Sequence, residues 1–574
     1  MSWKETYEEW NNQTLVPDLR QELDQMKGND EALEDAFYAP LEFGTAGMRG
    51  VLGVGINRMN VYTVRQATEG LATFMDTLDE ETKQRGVAIS YDSRHHSQEF
   101  AFESARVLGA HGIPTYVFES LRPTPELSFT VRHLHTYAGI MITASHNPKQ
   151  YNGYKIYGED GAQMPPKESD MITKYIREVT DLFAIKLADQ DALIEDGVLK
   201  VIGDEVDQAY LAEVKQVTID PELVAEEGKT MKLIFTPLHG TGAMIGEKAL
   251  RQAGFENFTM VPQQAQPDGD FPTVVKPNPE DPEAFNLAIE LGKKEQADLL
   301  IGVDPDADRL GAAVRQPNGE YQLLTGNQIA AVMLNYILKA RKNAGTLPAN
   351  AVAVKSVVSS EFATKVAANY GVGMINVLTG FKFIAEQIHN FELHHDHTFM
   401  FGFEESYGYL ERPFVRDKDA IQSLVMLAEV AAHYKKEGKN LYDGLQELFA
   451  EYGYFAEKTI AKTFDGIEGA AEIKNLMTKF REESPVDFAG VKVEAIEDIQ
   501  AGTKKYADGR VENIDLPKSN VLKYYLEDET WIAVRPSGTE PKIKFYIGTQ
   551  ADTQARALEK RDEFESAINA FIAG

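Results

Sequence analysis

The sequence predicts an α/β protein with three similar α/β domains built on mixed sheets, followed by a C-terminal α+β domain of a different kind. Three observations predict it. One pattern of strand, helix, glycine and strand occurs three times between residues 87 and 377. Past about Gly453 that pattern gives way to strand and helix signals of another order. An apolar strand also runs four times straight into a short polar loop, and the carboxyl ends of strands are where open α/β sheets place ligands.

The first copy reads as a strand at 87–91, a helix over 100–108, Gly112, and a strand at 113–118. The second reads as a strand at 233–235, the loop Pro237-Leu238-His239-Gly240-Thr241-Gly242, a helix to Gln252, Gly254, and a strand at 258–261. The third has a strand at 351–358, a helix at 362–369, Gly371, and a strand at 374–377. Each glycine stands just past a helix, where a left-handed cap is wanted. Another helix follows each copy, then a motif strand: 139–142, 299–303 and 399–401. The last region reads as a strand at 458–463, a helix at 468–480, a strand at 491–495, two strands flanking Arg535, and a helix over 553–571. The charged stretch 195–205, the turn Gln316-Pro317-Asn318-Gly319 and the segment around Tyr452 read as linkers, so the expected domains are 1–200, 201–315, 316–452 and 453–574.

A chain of 574 residues has room for several domains and a sizeable core. It has no cysteine, hence no disulfide and no thiolate metal site. Its first residues, Met1-Ser2-Trp3-Lys4-Glu5, lack the apolar centre of a signal peptide. No apolar run approaches the ~18 residues that span a bilayer, and 329–338, broken by Asn335, reads as a buried helix. A soluble, cytoplasmic protein is expected. The net charge of −31 argues against nucleic acid and anionic membrane surfaces as partners. An anionic substrate then needs cations concentrated locally.

The four polar loops supply distinct chemistry. Thr143-Ala144-Ser145-His146-Asn147-Pro148 puts a serine hydroxyl at a sheet end, and Asn-Pro forces a turn. Serine is a weak nucleophile without help. His146 is the neighbouring base, but adjacent residues of an extended segment point to opposite sides, which sets it away from Ser145. In Asp304-Pro305-Asp306-Ala307-Asp308-Arg309, alternating carboxylates can converge on one hard cation. Arg309 at the sixth position and Arg315 at the twelfth exclude an EF-hand. A rival reading makes Asp304 a phosphatase-type nucleophile. Gly402-Phe403-Glu404-Glu405-Ser406-Tyr407-Gly408 offers carboxylate and hydroxyl to vicinal sugar hydroxyls, or else a helix-terminal acid cluster. Arg535-Pro536-Ser537-Gly538-Thr539-Glu540-Pro541 combines a guanidinium, hydroxyls and flexible backbone, with Lys542 and Lys544 nearby. That set suits a phosphate better than a plain hairpin turn.

Supporting loops add charge: Arg49 after a Gly-rich segment, Asp92-Ser93-Arg94, Lys155 soon after Ser145, Thr379-Gly380-Phe381-Lys382, and Asp417-Lys418-Asp419. Gly53 and Gly55 suggest a dinucleotide loop, but Arg58 fills the third glycine position and no Walker loop exists, so nucleotide use is not supported.

These motifs, in this order, resemble those of the α-D-phosphohexomutases, the phosphoglucomutase/phosphomannomutase family, over nearly the whole chain: TASHNP, DPDADR, GFEESYG and RPSGTEPKIK. Residues 41–50 and 402–409 resemble the bacterial α-phosphoglucomutase branch, and also animal phosphopentomutases. The resemblance implies a TATA-binding-protein-like last domain and four domains around one central cleft. It implies one Mg2+ held by Ser145, through its phosphate, and by Asp304, Asp306 and Asp308. Arg49, Lys155 and Lys418, with His146, match positions near the transferring group. Arg309, Thr379, Gly380, Lys382, Glu404 and Ser406 match substrate contacts, and Arg535, Ser537, Gly538, Thr539 and Lys542 a phosphate clamp. Phe381 departs from the pattern, standing where some relatives carry His. The implied reaction interconverts glucose 1-phosphate and glucose 6-phosphate through phosphoserine, with glucose 1,6-bisphosphate as intermediate and activator, in a monomer or homodimer. Mannose and pentose phosphates are rival substrates. A metal-dependent sugar phosphatase and a non-catalytic sugar-phosphate sensor are rivals of other classes.

Overall fold

A computed structural model describes residues 2–44, 47–464, 466–537 and 542–573. The first unit contains β1 (Gly47–Val51), β2 (Val87–Tyr91), β3 (Thr115–Phe118), β4 (Ala138–Ile142), β5 (Tyr151–Tyr157) and β6 (Leu199–Ile202), in the order β1-β5-β4-β2-β3-β6. The second contains β7 (Leu233–Thr236), β8 (Phe258–Met260), β9 (Leu299–Val303), β10 (Leu310–Arg315) and β11 (Tyr321–Leu323), in the order β11-β10-β9-β7-β8. The third contains β12 (Ala351–Ser356), β13 (Gly373–Val377), β14 (Thr398–Glu404) and β15 (Gly408–Leu410), in the order β13-β12-β14-β15.

The repeat expected from the sequence is present as topology. Each sheet contains one four-strand core: β5-β4-β2-β3, β10-β9-β7-β8 and β15-β14-β12-β13. In each core three strands run parallel and the fourth returns antiparallel as a hairpin. The crossover helices Ser97–Ala110, Gly242–Ala253 and Phe362–Asn369 end before Gly112, Gly254 and Gly371, with φ of +67°, +113° and +72°. That left-handed conformation carries no Cβ penalty in glycine. Strands β2, β4 and β9 are buried along their whole length, as expected where helices cover both sheet faces.

Two expected linkers are instead structured. The 195–205 stretch forms β6, parallel to β3, and then enters the helix Asp204–Val214. Exposed Lys200 and Val201 hide the strand signal, while Leu199 and Ile202 face the core. The Gln316-Gly319 turn closes the β10–β11 hairpin, in which Arg315 lies opposite Tyr321, so the break expected after residue 315 falls inside the second sheet. Three N-terminal helices, Trp3–Asn12, Pro17–Met26 and Asp30–Phe37, were not anticipated; Trp10 anchors them edge-on against Phe37, Tyr62 and Phe183. The apolar 329–338 segment lies inside the buried helix Gly326–Asn343. Among the described residues no helix is long and apolar enough to cross a membrane.

The C-terminal domain is antiparallel. It comprises β16 (Tyr454–Thr463), β17 (Asp487–Phe488), β18 (Val491–Asp498), β19 (Thr503–Tyr506), β20 (Val511–Asn513), β21 (Leu522–Leu526), β22 (Trp531–Pro536) and β23 (Lys542–Ala551), in the order β16-β23-β22-β21-β18-β19-β20, with β17 beside β18. The helices Gly466–Glu482 and Gln554–Ala573 supply Phe480, Phe564 and Ile568 to its core, an α+β arrangement. One apolar cluster runs through the second and third units and takes in Phe118 and Phe129 of the first. A smaller one joins Val357, Val358 and Leu378 to Trp531, Ala533 and Tyr546, and thus seals the third unit against the last domain.

Candidate active site

Three of the four motif loops occupy one topological position: the hairpins β4–β5, β9–β10 and β14–β15. Each contains one non-glycine residue in the left-handed region, Ser145 at φ +51°, Ala307 at +52° and Tyr407 at +65°. This conformation costs an L-residue about 1–2 kcal/mol, and it reverses the chain within a few residues. At Ser145 it also overturns the alternation argument. The segment is not extended there, and His146 Nδ1 lies 3.1 Å from Ser145 Oγ on the same side.

The serine and the aspartates meet. Ser145 Oγ donates to Asp304 Oδ2 at 2.7 Å. The other Asp304 oxygen accepts the backbone N–H groups of Asp308 (3.1 Å) and Arg309 (3.0 Å). Asp306 Oδ2 accepts from Thr124 Oγ1 at 3.0 Å and Lys155 Nζ at 3.2 Å. Asp308 Oδ2 lies 3.0 Å from Lys418 Nζ. All three carboxylates are buried, and one oxygen from each lies within 4.8 Å of the others. Asp306 Oδ1 and Asp308 Oδ1 are buried without a hydrogen-bond partner.

Burial, then Asp306 and Asp308, push the Asp304 carboxyl well above the usual range. Burial opposes Asp306 too, but Lys155, Asp304 and Lys418 hold it well below. Three crowded acids with orphaned oxygens and only oxygen donors fit a hard divalent cation.

Cations surround this group. Arg49, opposite Gly153 in the β1–β5 register, reaches Asn147 Oδ1 at 3.1 Å. Lys418 Nζ bonds Asp417 Oδ1 at 2.9 Å and lies 5.6 Å from the Phe381 ring centroid. Burial disfavours its charge, but Asp308, Asp417 and Glu404 more than restore it. Arg309 Nη1 donates to Glu280 and, at 2.9 Å, to the Ser406 carbonyl. His146 is held neutral: burial, Arg309 and Arg49 push its pKa well below the ordinary value.

The loop that carries Glu404 and Ser406 adjoins this group. Glu404 Oε1 accepts the Gly380 N–H at 2.7 Å. Burial, then Glu405, raise the Glu404 carboxyl, and Lys418 opposes the shift. The Thr379 hydroxyl is buried without a partner, and Ser406 is half-buried. Lys382 Nζ stands 5.3 Å from the Phe383 ring, and burial lowers its pKa. On the last domain, Arg535 Nη1 is 3.5 Å from the Tyr546 hydroxyl, and the Ser537 N–H donates to the Lys542 carbonyl at 2.7 Å. Gly538 and Thr539 lie outside the described residues. Sequence reasoning missed Thr124, Tyr157 and Glu280, and cited Asp417 only as part of a charged string. Tyr157 OH donates to Asp417 Oδ2 at 2.8 Å, which ties the first unit to the loop that positions Lys418.

Comparisons with known proteins agree along the chain. Residues 40–182, 208–319 and 325–452 match the phosphoglucomutase/phosphomannomutase alpha/beta/alpha domains I, II and III, and 477–566 match the C-terminal domain of the same family. The chain is 43% identical over 528 residues to a phosphoglucomutase of Staphylococcus epidermidis, covering 91% of this chain and 93% of that one. It is 39% identical over 571 residues to a phosphoglucomutase of Staphylococcus aureus, covering 99% and 98%. Its fold is similar to the crystal structure of a putative phosphomannomutase from Thermus thermophilus, with a TM-score of 0.68 at 22% identity, covering 93% of this chain and all of that one.

Proposed function

The chain belongs to the phosphoglucomutase/phosphomannomutase family, and on that premise we propose that it interconverts α-D-glucose 1-phosphate and glucose 6-phosphate through phospho-Ser145 and a glucose 1,6-bisphosphate. The observation that carries this reading is the Ser145 Oγ–Asp304 contact of 2.7 Å, made where hairpins of separate units converge. The geometry disfavours a phosphatase with Asp304 as nucleophile. Asp304 is fully buried, and both of its oxygens are already engaged, by two backbone N–H groups and by the serine.

In the forward direction the sugar 6-hydroxyl attacks the phosphoryl group on Ser145. The O6–P bond forms, the P–Oγ bond breaks, O6 loses its proton and Oγ regains one. The bisphosphate then turns over in the cleft and returns its 1-phosphoryl group to Ser145. The proton that O6 releases is the one Oγ regains, and neutral His146, 3.1 Å from Oγ, hydrogen-bonds and orients the serine oxygen that receives it. Asp304, Asp306 and Asp308 would hold one Mg2+ per chain, which when bound neutralises phosphoryl charge. Arg49, Lys155 and Lys418 add positive charge around the loose, highly anionic group in transfer.

Glu404 and Ser406, with Thr379, Gly380, Lys382 and Arg309, read the ring. Arg535, Ser537, Gly538, Thr539 and Lys542 grip the phosphate not in transfer. The clamp must accept either end of the bisphosphate, so it binds generically while the ring contacts fix orientation. The partners are small-molecule sugar phosphates, not nucleic acid or membrane, and the setting is cytoplasmic, as monomer or homodimer.

A coupled mutase assay across glucose, mannose and ribose 1-phosphates, with bisphosphate present, tests the substrate. Glucose 1-phosphate should give the highest kcat/KM, with little free phosphate released. Stoichiometric inorganic phosphate would replace this reading with a phosphatase. Ser145→Ala should abolish both turnover and labelling by radiolabelled bisphosphate; label retained on the variant would remove Ser145 from the mechanism.

A further inference from the structure

Arg94 follows β2 in the Asp92-Ser93-Arg94 string, one of the charged supporting loops. Its surroundings assign it another task. The side chain is completely buried. A guanidinium has five N–H donors in a rigid plane. Nη1 donates to the carbonyls of Pro148 at 2.9 Å and Tyr151 at 3.0 Å. Nη2 donates to the carbonyls of Ser145 at 2.6 Å and Asn147 at 2.5 Å. Nε lies 3.3 Å from Asp92 Oδ2. Both terminal nitrogens are thus committed to hairpin carbonyls, and the buried Nε faces Asp92 as an ion pair without a hydrogen bond, not the cleft.

The four carbonyls all belong to the hairpin that bears the nucleophile. Within the hairpin the Pro148 carbonyl also accepts the Tyr151 N–H at 3.1 Å. The guanidinium supplies donors to the carbonyls of Ser145, Asn147 and Tyr151 as well, and buried carbonyls left unpaired are costly. It is fixed from two further sides. Asp92 Oδ1 accepts the Arg94 N–H at 2.9 Å and the Ser97 hydroxyl at 2.8 Å. From the second unit, the Phe271 ring lies 4.9 Å from the guanidinium carbon. Nearby Gly269 packs so closely that a Cβ would stand 2.9 Å from both His95 N and Ser93 O.

We propose that Arg94 is the positioning residue of the nucleophile: it holds the 143–151 hairpin in the left-handed form that aims Ser145 Oγ at Asp304, and it does not bind substrate phosphate. The proposal rests on Ser145 as the phosphoryl carrier. A lysine cannot substitute, because a single ammonium has three donors and no planar fork for four carbonyls.

The test compares wild type with Arg94→Lys, Arg94→Met and Phe271→Leu. Labelled glucose 1,6-bisphosphate counts the sites able to accept phosphate on Ser145, and kcat per labelled site and KM for glucose 1-phosphate are then measured. Both Arg94 variants should lose about 100-fold in kcat per labelled site, the cost of a misplacement near 1 Å, with KM within about threefold of wild type. Phe271→Leu keeps every donor and loosens only the support, so its kcat should fall by about threefold or more at unchanged KM. Arg94→Lys with wild-type kcat per site would overturn the proposal, as would a loss expressed mainly as raised KM, the mark of a substrate ligand. If the Arg94 variants do not fold, wild-type kcat in Phe271→Leu overturns it. A wild type that takes no label brings down the underlying reading and this one together. A wild type that labels beside an unimpaired Arg94→Lys defeats only this one.

Discussion

Ser145 owes its reach to a backbone angle, and its neighbours owe theirs to charge. Asp306 is ionised in a buried site because Lys155 and Lys418 oppose its desolvation. Asp306→Asn keeps the shape and removes the charge, so Mg2+ affinity should fall about 10- to 100-fold, measured by titration calorimetry on cation-stripped protein; unchanged affinity would take Asp306 out of the ligand set. Lys418→Met leaves Asp308 and Asp417 facing each other without their shared ammonium. Breaking a buried pair costs about 3–5 kcal/mol, so its thermal midpoint should drop clearly, and a wild-type midpoint would show that the contact contributes little. Ser145 and the aspartates were legible in the sequence because each motif is contiguous. The His146 contact was not, since nothing in the string announces a left-handed serine. Thr124 was not either: its partner, Asp306, is 182 positions away.

The repeated element is a parallel core closed by an antiparallel hairpin. It was readable through glycines past the crossover helices, because a left-handed cap nearly requires that residue. What the pattern could not show is that the three hairpins are equivalent, since they share no residue identity. The false linkers have a related cause: a short edge strand such as β6, with Lys200 and Val201 exposed between buried Leu199 and Ile202, breaks the alternation that marks a strand. Packing between loops explains one glycine of the second copy. A Cβ on Gly240 would lie 2.2 Å from Pro305 Cα. Gly240→Ala should therefore displace the aspartate hairpin and lower turnover by about tenfold or more. Full turnover in that variant, measured in the coupled assay, would mean that the hairpin tolerates displacement.

At the scale of the molecule, polar contacts cross each boundary near the site. Between the third unit and the last domain, Lys523 reaches the Val357 carbonyl at 2.8 Å and Glu361 at 3.3 Å. Lys355 meets Glu361 at 3.1 Å, and Ser360 donates to Glu457. Burial pushes Glu457 up to about 7, although Ser360 and Lys355 pull it down. A carboxyl raised in the folded state contributes its stability fully below its unfolded pKa and loses it as pH rises through the folded value. Glu457→Gln does not ionise. Its thermal midpoint should exceed wild type by a few degrees near pH 8.5 and match it near pH 5, as scanned by calorimetry; a difference independent of pH would place the titration elsewhere.

The contacts at the aspartates have a consequence for how the enzyme comes into being. Ser145 and Lys155 from one unit and Lys418 from another each bond a carboxylate of the second unit. The chemistry is thus also a clasp between distant units of the chain. A nascent or unfolding chain has no competent fragment that could attack cellular metabolites on its own, and after dilution from denaturant, activity should be the final signal to return.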